Sequence, residues 1–406
     1  MATVTKRVWI DSKGRRKEAW RVSYADASGE RRHVQRRSKK DADAYALTVE
    51  MEKRLGIHVP DADSLTIKDA AQIWLATAET DGCDRGTIKS YREIANGHII
   101  PVLGGKKLTR LTAPEVVAFK DALLQTRSRP MTAKAVRHLS MLLSEAMRRG
   151  LVGQNVARGI TVKRPRQDGK RQRLAKRAEI PPKEHLKRLL DAAERLSAED
   201  PRLPVLLPVV MLTGLRASEL RGLAWPNANL ETGASLTVTQ RADRWNDIGP
   251  PKSDAGYRTI PIGPALARQL KEWKLRCPPS QLNLMFTATR RGRTWSSCKA
   301  ELGYGPIKQG AFSHLFLKVQ IEAGLALDTG SKDFKGHTKW KARYGWHDLR
   351  HVAASNWLND GIDLKRLQTW MGHENIQLTI DVYGHLIVDA KKDAALAAGA
   401  EASLLA

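Results

Sequence analysis

The chain has 406 residues, enough for two or three domains with their own cores, and its 69 lysines and arginines against 43 acidic residues leave a net charge of +26. Such a balance implies a polyanionic partner, nucleic acid first and an anionic membrane surface second, because neutralising phosphates supplies most non-specific affinity for DNA. Three scattered cysteines (Cys83, Cys277, Cys298), no run of about 18 apolar residues and no apolar segment near the N-terminus argue against a disulfide framework, a cysteine zinc motif, a membrane span and a signal peptide; the expectation is a soluble protein in a reducing cytoplasm.

Residues 4 to about 57 form the first unit. RVWID, AWRVSYAD and ERRHVQR alternate apolar and polar positions between SKG and ASGE turns, which predicts a three-stranded antiparallel sheet. Ser38 then opens a helix running to Arg54. Basic residues gather on and around the strands (Lys13, Arg15, Arg16, Lys17, Arg31, Arg32); a solvated, aggregation-blocking face explains them as well as phosphate contact does.

After the linker HVPDADS, apolar residues recur at spacings of three and four from residue 65 to about 160, in IKDAAQIWLATA, TIKSYREIANGHIIPVLG, APEVVAFKDALLQ and MTAKAVRHLSMLLSEAMRRG. The pattern predicts a set of helices with Thr66 and Thr87 as caps and Gly104-Gly105 and Gly150 as stops. The next stretch, 163–179, is basic, proline-bearing and too charged to fold alone. It reads either as a generic polyanion patch or as a strap crossing a duplex between two DNA-binding lobes.

From Ile180 a third unit begins. LPVLLPVVMLTGLRASELRGLAW gives one apolar helix, a break at Thr213-Gly214, and a second helix bearing Arg216 and Glu219. These two are i, i+3 neighbours, and a surface ion pair would be worth little. Arg216, however, follows an apolar run and sits at a helix start, where a cation is unfavourable, so it looks held for a ligand. Residues 235–263 read as strands and turns, with Lys252 just before the turn Ser253-Asp254-Ala255-Gly256. Between 289 and 344 only 312–325 looks firmly helical; the rest, rich in Gly, Lys, Arg and aromatics, is expected to be DNA-facing loops.

The segment 345–385, GWHDLRHVAASNWLNDGIDLKRLQTWMGHENIQLTIDVYGH, sets His347, Arg350, His351, His373 and Tyr383 among apolar helical residues. His347, Arg350 and His351 at i, i+3 and i+4 share one helix face. An arginine drawn into an apolar helix needs an anionic partner. Met371-Gly372-His373 reads as a helix end with Gly372 in the left-handed cap. His347 and His351 could instead chelate zinc with a third histidine, but Asp348 stands where a zincin carries its glutamate base.

Taken together, HDLRH, the Gly372-His373 pair and Tyr383 followed by Gly384-His385 closely resemble the C-terminal signature of the tyrosine recombinases, the phage-integrase family. TGLRASEL resembles that family's first arginine box, with Arg216 as catalytic arginine and Glu219 as its buried support. Lys252 followed by YRTIPI resembles the family's mobile-hairpin lysine, although Pro250-Pro251 departs from the pattern. The first unit resembles an arm-type DNA-binding domain (1–60), and the helices resemble a core-binding domain (64–162). The expected architecture is therefore multidomain and mainly α with small β-sheets: these two domains, the linker, a mixed α+β catalytic domain (180–390) and a tail (391–406) that docks on a neighbouring subunit or frays.

The resemblance implies site-specific DNA recombination for a phage or other mobile element. Tyr383 would attack a phosphodiester to give a 3′-phosphotyrosyl link and, through strand exchange, a Holliday junction. Arg216 and Arg350 would hold the non-bridging oxygens. His347 and His373 would add hydrogen bonds, with His347 as proton acceptor, and Lys252 would protonate the leaving 5′-oxygen. Exchange of one ester for another needs neither ATP nor, with so many cationic and donor groups, a metal. The implied partners are double-stranded attachment sites, three further copies of the chain in a homotetramer, a host DNA-bending protein and an excision factor. The implied location is the bacterial cytoplasm, at the nucleoid. The competing readings are a binding-only architectural protein, opposed by the complete residue set, and a metal-dependent hydrolase.

Overall fold

The structure, a computed structural model, describes residues 2–26, 29–163, 180–288, 305–334 and 336–386. The chain divides into two compact units, Met1–Arg166 and Gln167–Ala406. Most of the linker 163–179 and the whole tail 391–406 lie outside the described residues, as does Cys298. Among the described residues no helix is long and apolar enough to cross a membrane.

The first unit opens with β1 (Thr3–Ile10), β2 (Arg16–Ala25) and β3 (Arg31–Arg36), antiparallel in the order β1-β2-β3. Helix α1 (Lys39–Arg54) lies against them, and the Ser38 hydroxyl accepts from the Asp41 amide at its start. Period-two alternation in β2 buries Val22 and Tyr24 on one face, and helical spacing buries Ala42 and Val49 opposite. Beyond them come α2 (Ile67–Thr80), α3 (Arg85–Ile94), a π turn, α4 (Ile100–Leu103), α5 (Ala113–Thr126) and α6 (Arg129–Arg148). These close around Ile67, Trp74, Ile99, Phe119, Leu139 and Leu142. Thr66 caps α2 in a reciprocal box with Asp69. Thr87 does not cap α3. Asp84 does, its carboxylate accepting from the Gly86 amide, which leaves Thr87 inside the first turn.

The second unit is built on α8 (Leu203–Thr213), whose apolar residues are buried around most of its circumference, with Leu212 exposed. It packs against α7 (Lys183–Arg195), α10 (Pro264–Arg276) and α12 (Trp346–Asn359). A helix apolar all round is a core helix, and each buried Leu or Val on it contributes about 1.5–3 kcal/mol. It ends at Gly214, φ +59°, and after a short turn α9 (Ala217–Arg221) begins.

One side carries the three-stranded antiparallel sheet β4-β5-β8, made of β4 (Ala228–Asn229), β5 (Ser235–Val238) and β8 (Arg258–Pro261). The two-stranded ribbon β6 (Arg241–Ala242) and β7 (Ile248–Gly249) lies between β5 and β8 in sequence. Lys252 is on the connection from β7 to β8, followed by a single 3-10 turn at Asp254–Gly256.

Helix α11 (Gln309–Glu322) falls close to its expected place. Of the remaining described residues before α12, those from 327 to 341 are not the loops expected. They form a hairpin of β9 (Leu327–Lys332) and β10 (Thr338–Lys341), exposed along both strands. Residues 289–304 lie outside the described residues. The unit ends with α13 (Leu364–Met371) and α14 (Ile376–Tyr383).

Candidate active site

The site is assembled where α13 stops. Gly372 takes the left-handed conformation there, φ +62°, and a Cβ on it would lie 2.8 Å from the Ala255 carbonyl oxygen and 2.9 Å from Arg258 Nη1. Only glycine satisfies both the backbone and the space.

The last carbonyls of a helix carry its negative end and have no intrahelical donor. Here three consecutive carbonyls each receive an arginine from a different segment. Arg258 Nε donates to Trp370 O at 2.7 Å, Arg350 Nη2 to Met371 O, and Arg216 Nη2 to Gly372 O at 2.7 Å. Arg350 Nη1 also donates to Gly214 O at 2.6 Å, so the end of α8 and the end of α13 are tied through one guanidinium.

Glu219 is the counter-charge of this cluster. Its carboxylate accepts from Arg216 Nη1 at 2.7 Å and from Arg258 Nη1 and Nη2 at 3.1 and 2.7 Å. Burial works to raise its pKa, but the Arg258 hydrogen bonds and the charges of Arg258, Arg216 and Arg350 outweigh burial and hold it at about 2. Arg350 is 1% exposed. Burial first, then the neighbouring Arg216, pushes its pKa well below the ordinary guanidinium value. Among the described residues its buried Nε–H meets no acceptor. Its surroundings therefore disfavour the cation, and an anion arriving beside it would relieve that cost.

The histidines divide into an inner and an outer group. His373 is buried, with Nε2 3.2 Å from Arg350 Nη2 and Nδ1 2.9 Å from Thr379 Oγ1. An arginine only donates, so Nε2 accepts and Nδ1–H is given to Thr379. Burial and then the charge of Arg350 hold the His373 pKa at about 3, so the ring is neutral. His347 is on the exposed side of α12, and among the described residues its ring makes no hydrogen bond. Loss of hydration on its packed side and the charge of Arg350 lower its pKa. His351, one turn on, stands edge-on to it with ring centroids 4.6 Å apart.

Tyr383 ends α14 and is 1% exposed, its ring stacked at 6.3 Å on His373. Its hydroxyl lies 2.7 Å from His351 Nδ1. Burial raises the hydroxyl's pKa, and Arg350 and Arg216 pull against it.

Of the six residues expected from the sequence, the structure gathers Arg216, Arg350, His373 and Tyr383, with His347 at the rim. Lys252 is exposed and among the described residues touches no polar partner; its segment runs into Ala255, against Gly372. Sequence reading missed two residues. His351 is on the shared helix face, but the sequence gives it a task only in the zinc reading. Arg258 was passed over, although its inward register with Ile260 in β8 was a signal, since an arginine on the buried side of a strand must have a partner. Among the described residues no three His, Cys, Asp or Glu side chains gather as a metal-ligand set.

The fold is mainly helical and multidomain, and it sets a tyrosine, histidines and paired arginines around one helix end. The model of the phage integrase family matches residues 182–389, and that of the phage integrase N-terminal SAM-like domain matches 66–124. The chain belongs to the phage integrase family of tyrosine recombinases. It is 25% identical over 391 residues to a XerC-like tyrosine recombinase of Caldanaerobacter subterraneus subsp. tengcongensis, covering 93% of this chain and 95% of that one. Its fold is similar to the Tn1549 transposon integrase solved with a circular intermediate DNA (TM-score 0.61, 17% identity, 84% of this chain and 100% of that one). It is also similar to the lambda integrase tetramer solved on a Holliday junction (TM-score 0.55, 18% identity, 92% and 94%).

Proposed function

We propose that the protein is a site-specific DNA recombinase, the integrase of a phage or other mobile element, which cuts and rejoins DNA through a 3′-phosphotyrosyl intermediate and a Holliday junction. The observation that carries the reading is Tyr383, an otherwise buried phenol hydrogen-bonded at 2.7 Å to an imidazole beside an arginine cluster with one counter-carboxylate. That is an arrangement for a nucleophile that must lose a proton next to an anion.

In this reading Tyr383 Oη attacks phosphorus and the 5′-oxygen leaves. Arg216, with its side chain 37% exposed, meets one non-bridging oxygen. Arg350 meets the other when a phosphate oxygen replaces His373 Nε2 at its Nη2. Charge accumulating on those oxygens in the transition state is met by donors already fixed by Gly214, Met371, Gly372 and Glu219, so little reorganisation is needed. His347 at the rim adds a hydrogen bond, and Lys252 brings the proton to the 5′-oxygen from the β7–β8 connection. The ester is exchanged rather than hydrolysed, so no nucleotide cofactor enters the balance.

The active form on DNA is a homotetramer at paired attachment sites, with a host DNA-bending protein and an excision factor setting architecture and direction. The sheet unit (1–60) binds arm sites, and the helical unit (64–162) together with the catalytic domain (180–390) binds the core site.

The test uses nicked DNA from the ends of the element that encodes the chain. The unaltered protein forms a covalent adduct in excess chelator, whereas Tyr383→Phe binds the DNA and forms none. An adduct that survives Tyr383→Phe moves the nucleophile elsewhere, and cleavage lost to chelator and restored by Zn²⁺ favours a metal-dependent hydrolase.

A further inference from the structure

Among the described residues the Tyr383 hydroxyl has one hydrogen-bond partner, and it is not the histidine the motif singles out. His347 makes no hydrogen bond among the described residues, while His351 Nδ1 lies 2.7 Å from the Tyr383 hydroxyl, with ring centroids 5.4 Å apart. We propose that His351 is a catalytic residue, the group that takes the proton from Tyr383 when the hydroxyl attacks DNA and returns it when the strand is resealed. The proposal rests on the reading of Tyr383 as nucleophile.

The geometry follows from the helices. His351 is on α12 one turn beyond His347, and Tyr383 is the last residue of α14. Burial of Leu349, Val352 and Ala353 fixes the roll of α12, and burial of Thr379 together with Tyr383 fixes that of α14. The hydrogen bond is therefore set by packed elements rather than by a loop, and it is in place before any substrate arrives.

A proton acceptor must be neutral and must keep a lone pair pointed at the hydroxyl. The charged and titratable groups facing His351 are His347 and Arg350 on its own helix and Tyr383 on α14; burial first, then His347 and Arg350, hold its pKa at about 4. The ring is thus neutral near pH 7, and with the proton on Nε2 its Nδ1 accepts from Tyr383. Such an imidazole is a weak base toward a resting phenol, and this suits the chemistry. Transfer becomes favourable only as the phenol oxygen bonds to phosphorus and turns acidic, while negative charge growing on the phosphate raises the affinity of the nearby imidazole for a proton.

The step balances as follows. The Tyr383 Oη–P bond forms and the Oη–H bond breaks, with the proton passing to His351 Nδ1. The P–O5′ bond breaks, its electron pair stays on the 5′-oxygen, and that oxygen takes a proton from the Lys252 ammonium. In resealing, the 5′-hydroxyl attacks phosphorus, its proton goes back to the lysine, and Tyr383 departs and recovers its proton from His351.

Two substitutions separate proton transfer from simple anchoring. His351→Ala removes the acceptor. His351→Asn places an oxygen near the position of Nδ1, able to hold the hydroxyl but not to take its proton. Each is paired with Tyr383 in its natural form or replaced by a ring-fluorinated tyrosine, whose hydroxyl is more acidic. Single-turnover cleavage of nicked trapping DNA is followed at saturating protein from about pH 6 to about pH 9, with DNA binding measured alongside.

General-base loss is worth about 10²–10⁴-fold. Both His351 variants are expected to bind DNA normally and to cleave at least about 10²-fold more slowly near neutrality. Their rates should rise with pH where the parent rate is flat, and the fluorinated tyrosine should recover most of the loss. Parent-like cleavage by His351→Asn would reduce His351 to an anchor and overturn the proposal. So would slow variants that keep the parent pH profile and gain nothing from the fluorinated tyrosine. An adduct in Tyr383→Phe would instead remove the nucleophile assignment itself, an outcome separate from either.

Discussion

Arg258 and Glu219 face each other in a two-point ion pair, Nη1 to Oε1 at 3.1 Å and Nη2 to Oε2 at 2.7 Å, with both side chains at most 3% exposed. Glu219 is also the partner of Arg216, and Arg258 also holds the carbonyl of Trp370. One carboxylate thus fixes two arginines, and through them the end of α13 and the start of α9.

Removing that charge leaves two guanidinium groups without their counter-ion. Glu219→Gln is expected to destabilise the second unit by about 3–5 kcal/mol, the range for breaking a buried pair on one side. Urea unfolding measures the loss. Because the Glu219 pKa is depressed in the folded state to about 2 from an ordinary 4.5, its contribution is fully present above about pH 4.5 and is lost as pH falls toward about 2. The variant should therefore lose less stability than the parent over that acid range, and an identical acid slope in the two proteins would contradict the ion-pair account.

Lys252 is tested through the leaving atom. An alkoxide is too basic to depart unprotonated, whereas a thiolate, with a thiol pKa near about 8.5, needs little help. Lys252→Ala should cleave ordinary DNA very slowly yet recover most of its rate when sulfur replaces the bridging 5′-oxygen. Arg216→Ala and Arg350→Ala should not recover, because their work is on non-bridging oxygens. Cleavage of the sulfur substrate by Lys252→Ala as slow as that of the arginine variants would make the lysine a charge clamp and pass the proton donor's task to another group.

How far these elements could be read from sequence depended on what kind of order each one has. The β1-β2-β3 sheet, α1 and the core helices were legible because burial on one face imposes a period of two or 3.6, and Ser38 and Thr66 cap their helices by purely local hydrogen bonds. Asp84 displaced Thr87 as a cap because two capping side chains lay three residues apart and only the geometry of the turn chooses between them. The β9–β10 hairpin was not legible, since both its strands are exposed and no apolar alternation marks them. At the site, Arg216, Arg350, His373 and Tyr383 were legible as residue types at recombinase spacing. Arg258 on Trp370 and His351 on Tyr383 were not, because each contact joins helices or strands brought together only by the tertiary fold.

The first unit is tested by deletion. Removing residues 1–60 should spare cleavage of an isolated core site while weakening recombination between complete attachment sites, because linked modules gain their combined affinity from effective concentration, which is lost when one is removed. Equal recombination by the full-length and shortened chains on complete sites would give the sheet unit another task.

The central claim is that the Tyr383 oxygen becomes bonded to DNA. Trapping the adduct on nicked DNA, digesting it with protease and nuclease, and sequencing the modified peptide by mass spectrometry locates that bond. The account predicts a single nucleotide attached through its 3′-phosphate to Tyr383, in a peptide that also carries the end of α14. Attachment at Tyr344, whose hydroxyl instead lies 2.7 Å from His185 Nδ1, or at Tyr304, or through a 5′-phosphate, would contradict it.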